Sequence, residues 1–364
     1  MKKYKICKIL LVILAIFLCV AFYELLGICV AYKKQPEVSN TTKKETKNGS
    51  WNECSENTER AVIIEKNPEA LLQRVRLIRN AKEDIILSTF AFQSDESGKL
   101  ILGALHDAAD RGVHIRLLVD GMESWIDMEG NPYFYGLSSH ENVEIKLYNK
   151  ANPLKPWKMM GRMHDKYLIA DGKRYILGGR NTYNYFLGDF PGHKNYDRDV
   201  LVVCDEPEKE NSVNQLLEYF ETIWEQEDSG YFHDNKKLAN RKSVKNAVLE
   251  LQNGYQKYFE ENKERICDTD YTDETFETEK IALVSNPIHT GSKEPVVWYQ
   301  LGELMKNAKN RVKIHTPYII CNDMMYNTWE EIAENVSDFS IMTNSVANNG
   351  NPFGSAEYAK NRNR

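Results

Sequence analysis

Paired cysteines are missing from this sequence. Its seven cysteines include no C-x-x-C: Cys7, Cys19 and Cys29 lie in or beside one apolar run, and Cys54, Cys204, Cys267 and Cys321 are scattered. A cysteine-held zinc site is therefore not expected. A basic excess is missing too, since 47 Lys and Arg stand against 53 Asp and Glu, a net charge of −6. A chain built mainly to neutralise nucleic-acid phosphates carries the opposite balance, although a small local basic site stays open. What is present is a hydrophobic fraction of 42% over 364 residues, enough for two compact domains or two halves of one.

The chain begins with four lysines (Lys2, Lys3, Lys5 and Lys8), followed by residues 9–32, apolar except for Glu24. At about 1.5 Å per residue this run reaches roughly 36 Å, against about 30 Å for a hydrocarbon core. A cleavable signal peptide is the rival, because the uninterrupted part, 9–23, has a signal-like length. No A-x-A site follows, and Ile28 before Cys29 suits lipoprotein processing poorly. The expectation is an uncleaved single-pass anchor over 1–32 in the cell membrane. Lysines flank both ends of the span, so the positive-inside rule does not decide which side the remainder occupies. Residues 33–60, rich in Lys, Asn, Thr, Ser and Glu, read as a flexible linker.

Asn67-Pro68 has the form of a helix start, with Asn as cap and Pro at the first helical position. Leu71, Leu72, Val75 and Ile78 then line one face. Residues 85–92 read as a buried strand, 97–111 as a helix ended by Gly112, and 113–119 as a second strand left by Asp120-Gly121. This is a βαβ unit. Residues 143–148 add a strand. The loop 150–161 holds three lysines, Trp157, Met159 and Met160. It is expected to pack locally; the alternative is a surface for lipid headgroups. A strand at 198–204, an amphipathic helix at 212–225 and a charged, helical connector at 229–279 follow.

The stretch from Arg162 to Asn181 organises the chain. Two strand-like runs, 164–170 and 174–177, are joined by Asp171-Gly172-Lys173, a strong hairpin signal. His164 and Lys166 share a face, because side chains two apart on a strand point the same way. Gly178-Gly179 let the backbone come close to another group, and Asn181 follows. On geometry alone, this is equally a surface hairpin with an ordinary histidine or a site where His reacts while Lys and Asn hold phosphate oxygens.

The pattern His164-x-Lys166-x4-Asp171-x6-Gly178-Gly179, with Asn181 two positions on, resembles the His-Lys-Asp signature of the phospholipase D superfamily. The following run, Tyr183 to Phe186 and then Tyr196-Asp-Arg-Asp-Val200, is similar to the bacterial cardiolipin synthase branch. The resemblance covers roughly residue 67 to the C-terminus. It implies an α/β fold, a mixed sheet flanked by helices, in two halves that share one active site. His164 would form a phosphohistidine, Lys166 and Asn181 would clamp the phosphate, Asp171 would support the hairpin, and Asp199 would orient an imidazole. No metal or cofactor is implied, and the substrates would be phospholipids such as phosphatidylglycerol. Relatives with cytoplasmic catalytic domains usually carry two spans, so the single span leans towards an extracytoplasmic domain.

A repeat follows. Asn80-Ala-Lys82 and the strand from Ile85 are echoed by Asn307-Ala-Lys309 and a strand from Val312, an offset of 227. Residues 61–228 are expected as a first half with the signature and 280–364 as an incomplete second half. Neither His289 nor His315 has a lysine two positions on. Three readings stay open: part of a membrane-bound phosphatidyltransferase, a homodimeric phosphodiesterase acting on nucleic acid, and a non-catalytic membrane interaction protein. The acidic charge and the anchor weigh against the second.

Overall fold

The structure is a computed structural model describing residues 2–48, 59–204, 211–233, 235–348 and 352–363. In chain order the first elements are α1 (Lys2–Ala31), α2 (Asn40–Asn48), β1 (Glu59–Ile64), α3 (Asn67–Asn80), β2 (Asp84–Thr89), α4 (Glu96–Asp110) and β3 (His114–Asp120). Next come α5 (Glu123–Asp127), α6 (Pro132–Ser138), β4 (Val143–Tyr148), β5 (Lys166–Ala170), β6 (Arg174–Gly178), β7 (Asp199–Cys204) and α7 (Ser212–Trp224). The last are β8 (Ser229–Tyr231), α8 (Lys242–Glu261), α9 (Lys263–Cys267), β9 (Phe276–Glu277), α10 (Val296–Lys306), β10 (Arg311–His315), α11 (Asp323–Asn335), β11 (Asp338–Met342) and α12 (Pro352–Asn363). They fall into two compact units: residues 1–35, 52–283 and 288–292, and residues 36–51, 284–287 and 293–364.

The first unit is a mixed sheet in the order β8-β4-β3-β2-β5-β6-β7-β1-β9. Strands β2, β3 and β4 run parallel, and β5, β6 and β7 are antiparallel neighbours. Alternation along the strands divides the core. Ile85, Leu87, Leu117, Leu168, Ile176 and Leu201 point to one face, against Leu71, Val75, Leu105 and Phe134 from the helices. Ile86, Leu118, Ile169, Tyr175 and Val202 point to the other, against Leu216, Phe220 and Trp224 of α7. A sheet covered on both faces needs its central strands apolar throughout, and they are.

The hairpin between β5 and β6 turns through Asp171 and Gly172, both at positive φ (52° and 59°), the backbone that a two-residue turn of this hand requires. Gly112 ends α4 at φ 93°. The α3 start differs in detail from its expected form. Lys66, not Asn67, occupies the cap position, and Asn67 turns inward, accepting from Arg180 Nε (3.2 Å) and donating to Asn195 O (2.9 Å).

Two expected linkers hold regular structure among their described residues. Within 33–60, α2 belongs to the second unit, where Glu294 accepts from Ser39 N (2.8 Å) and Thr42 Oγ1 (2.6 Å), and β1 pairs with β7. Residues 49–58 of that segment lie outside the described residues. The 229–279 segment is core rather than a connector: α8 buries Val244, Leu251, Tyr255 and Phe259 at helical spacing. Its high charge sits on the opposite face, which masked the apolar stripe. Gly103 of α4 lets the two helices meet, since a Cβ there would lie 2.7 Å from Leu251 O.

In the second unit, β10 and β11 pair in parallel. β10 and α11 begin 227 residues after β2 and α4. Val312, Ile332 and Val336 form a small core with Met305, Trp329 and Phe339.

Because α8 is part of the main core, Leu251→Ala is expected to destabilise the first unit by about 2–5 kcal/mol. Chemical denaturation reads this directly. An unchanged midpoint would return residues 242–261 to the role of a connector.

Candidate active site

Strand register brings Lys166, Gly178 and Asp199 to one edge of the sheet. Thr89 of β2 lies opposite Lys166 of β5, and Gly178 of β6 lies opposite Asp199 of β7. Tyr167 is opposite Leu177, so Lys166 comes level with Gly178. One transverse row therefore reads Thr89, Lys166, Gly178, Asp199, with about 10 Å between the Cα atoms of Lys166 and Asp199. The ends of β3 and β4, Asp120 and Tyr148, reach the same edge because both run parallel to β2.

His164 lies just before β5, accessible to solvent, with its ring against Phe90 at 4.6 Å between centroids. Crowding by protein, then the positive charge of Lys166, push its pKa down to about 4. Solvent at the open side of the ring opposes the first cause. The ring is neutral at pH 7 even without the full shift. Lys166 is buried, its Nζ donating to His164 O at 2.6 Å and lying 5.2 Å from the Phe90 ring centre. Burial lowers its pKa to about 8 against the pull of Asp165, Asp197 and Asp120. It remains mostly protonated at pH 7, with two N–H donors beyond the one given to the carbonyl.

Asn181 is buried, and its Oδ1 accepts from Ala91 N at 3.3 Å, leaving the NH₂ group as donor. Asp171 lies at the far end of β5, about 16 Å from Lys166 along the strand. Its carboxylate accepts from the backbone N–H of Lys82 (3.0 Å), Glu83 (2.8 Å) and Asp84 (3.2 Å), tying the hairpin to the turn before β2.

Asp199 Oδ2 is held by two buried guanidinium groups, Arg74 at 2.9 Å and Arg180 at 3.2 Å. Its Oδ1 is buried with no hydrogen-bond partner among the described residues. The bond to a histidine ring that the resemblance implies is thus not among its contacts. The glycine pair serves these acids: a Cβ on Gly178 would collide with Asp199 Oδ1, and one on Gly179 with the carboxylate of Asp197.

Several residues escaped sequence reasoning. Phe90 backs both His164 and Lys166, and Arg74 reaches Asp199 from a helix 125 positions earlier. Asp120 accepts from Met163 N (3.0 Å) and Arg162 (3.0 Å), fixing the approach to His164; burial raises its pKa against those bonds. Only Asp120-Gly121 at a strand end carried a local signal, and it read as a turn.

Residues 74–224 match the family described as cardiolipin synthase, PLD-like domain. Residues 74–224 thus carry a phospholipase D-like domain. The chain is 28% identical over 315 residues to an uncharacterized protein of Helicobacter pylori, covering 79% of this chain and 59% of that protein. It is 29% identical over 171 residues to cardiolipin synthase C of Escherichia coli, covering 43% of this chain and 34% of the relative. The chain thus spans well under two thirds of the length of these curated relatives. The fold resembles phosphatidylserine synthase of Haemophilus influenzae, with a TM-score of 0.55 at 15% identity, covering 85% of this chain and 67% of that one.

Stability separates the two ends of this site. Asp199→Ala strands two buried cations and is expected to cost about 3–5 kcal/mol. His164→Ala removes an accessible ring and is expected to change stability by less than about 0.5 kcal/mol. Thermal or chemical denaturation of both variants checks the contrast, which equal losses would refute.

Proposed function

We propose that the chain is a membrane-anchored phosphatidyltransferase or phospholipase D acting on phospholipid phosphodiesters through a phosphohistidine on His164. The observation that carries this reading is an accessible, neutral imidazole beside a buried ammonium at the sheet edge. In this reading a ring nitrogen of His164 attacks phosphorus, and the bond from phosphorus to the leaving alcohol breaks. A general acid gives that oxygen its proton. A second alcohol such as phosphatidylglycerol, or water, then attacks phosphorus, loses its proton, and frees the imidazole.

Lys166 and the NH₂ group of Asn181 hold the non-bridging oxygens; removing a donor of this kind typically costs about 3 kcal/mol of transition-state stabilisation. Asp171 supports the hairpin, and Asp199, with Oδ1 over Gly178, positions the row. No cofactor or metal has a role. Helix α1, whose residues Lys8–Ala31 are long and apolar enough to cross a membrane, is the anchor, with the extracytoplasmic side favoured for the domain.

Of the eight histidines, only His164 has a lysine two positions on. In this reading the general acid is a second signature histidine, from a second half-site or from a second copy in a homodimer. The helix-strand-helix-strand order from α10 to β11 favours the first, because it reads as the start of a second half in residues 280–364.

Leaving-group chemistry tests both parts. A p-nitrophenyl phosphodiester needs no proton to depart, so the 364-residue chain is expected to release p-nitrophenol, and His164→Ala to abolish the release. Its rate should rise as pH climbs through about 4, where His164 loses its proton, and fall through about 8, where Lys166 loses its charge. Turnover of labelled phosphatidylglycerol should be about 10²–10⁴-fold slower than in a chain carrying a second signature. Release unaffected by His164→Ala would refute the nucleophile. Equal phospholipid turnover that depends on chain concentration would favour the homodimer.

A further inference from the structure

Two loops leave the same sheet edge as His164, after β3 and after β4, and both carry large apolar side chains in the open. Trp125, Ile126 and Leu154 are 68%, 77% and 78% exposed, and Trp157 and Met160 are exposed beside them. The loop after β4 does not pack locally, as its sequence suggests. It packs against α1 instead: Tyr23 Oη donates to Leu154 O at 3.0 Å, and a Cβ on Gly27 would collide with Pro156. Ala21, Glu24, Gly27, Ile28 and Ala31 are the half-buried stripe of α1, spaced as one helical face.

The helix itself sets the level of the membrane. A hydrocarbon core of about 30 Å takes roughly 20 helical residues. Counted from Ile9, that distance ends near Ile28, so the loop meets α1 at the edge of the hydrocarbon core, beside Gly27, and reaches about 7 Å deeper, beside Tyr23. Glu24, the lone acid in the apolar run, is covered there: it lines a pocket with Lys150, Lys155, Lys158 and Arg162, its Oε2 buried. Tryptophan with exposed lysines is the composition of a membrane interface, where rings sit among headgroups and ammonium groups meet lipid phosphates.

The geometry points to the loops of residues 121–128 and 150–161 as a rim that inserts into the bilayer surface beside α1, with the lipid bilayer as its partner. The inference rests on the reading of α1 as an anchor. It adds that the candidate active site opens at the membrane plane rather than on a tether above it. Lipid phosphodiesters would then reach His164 without leaving the interface.

Tryptophan fluorescence of the full chain reconstituted in vesicles tests this without an activity assay. With lipids brominated at a shallow acyl position, the wild-type chain is expected to be quenched, and Trp125→Phe/Trp157→Phe to lose more than half of the quenched intensity. Trp224 is buried and provides an internal unquenched reference. Equal quenching in the two proteins overturns the rim. Trp125 and Trp157 shielded from acrylamide yet untouched by brominated lipid also overturn it, and assign the surface to a second copy of the chain. Flotation of the same samples separates the premises: a chain that does not float with vesicles refutes the anchor and the rim together. One that floats without quenching through these tryptophans refutes the rim alone.

Discussion

Asp199 and its two arginines hold the edge of the sheet that carries the candidate site. A buried carboxylate between two buried guanidinium groups is tolerated only if the remaining donors find acceptors. Arg180 meets this need with backbone carbonyls, bonding Ile64 O (3.1 Å), Glu65 O (2.6 Å) and Asp197 O. Arg74 adds Ala70 O at 3.0 Å from inside its own helix. These bonds join the end of β1, the start of α3, the loop 179–198 and the start of β7. Gly178 then follows as a steric necessity, because its missing side chain is the space that Asp199 Oδ1 occupies.

The electrostatics of His164 and Lys166 depend on that rigidity. A lysine that is buried without a fixed environment would swing to solvent, since its stem is flexible and its ammonium strongly hydrated. Here the His164 carbonyl and the Phe90 ring hold Nζ in place, while Asp165, Asp197 and Asp120 sustain its charge against burial. Crowding by protein, with the ammonium second, favours the neutral imidazole. A neutral imidazole and a charged ammonium thus stand two residues apart at the start of β5. Asp120 contributes from a distance, by fixing Arg162 and Met163 ahead of the histidine.

The two units show the same local grammar at different scales. In the first, the parallel pair β2 and β3 is embedded in a wide sheet with helices on both faces. In the second, the parallel pair β10 and β11 stands with α10 and α11 over a small core. A 227-residue period in sequence becomes a repeat of strand and helix starts in space. The caps repeat as well: Asp95 before α4 and Asn322 before α11 each accept a backbone N–H three residues on.

Much of this was written locally in the chain. The apolar run to residue 32, the βαβ unit, the Asp171-Gly172 turn and the spacing of His164 and Lys166 depend on neighbours within a few residues, and periodicity reports those. The fold class and the superfamily were legible for the same reason, since the signature packs its spaced residues into one hairpin. What the sequence could not show was decided by partners far away in the chain. Arg74 and Arg180 converge on Asp199, Phe90 backs His164, and Asn67 abandons a cap to bind Arg180. Residues 242–261 read as a connector until α4 supplied a face to bury them against. The loop after β4 read as self-packing until α1 took its inner side and left Leu154 and Trp157 outward. Spacing along a strand determines which side chains share a face; only the assembled sheet determines what stands across from them.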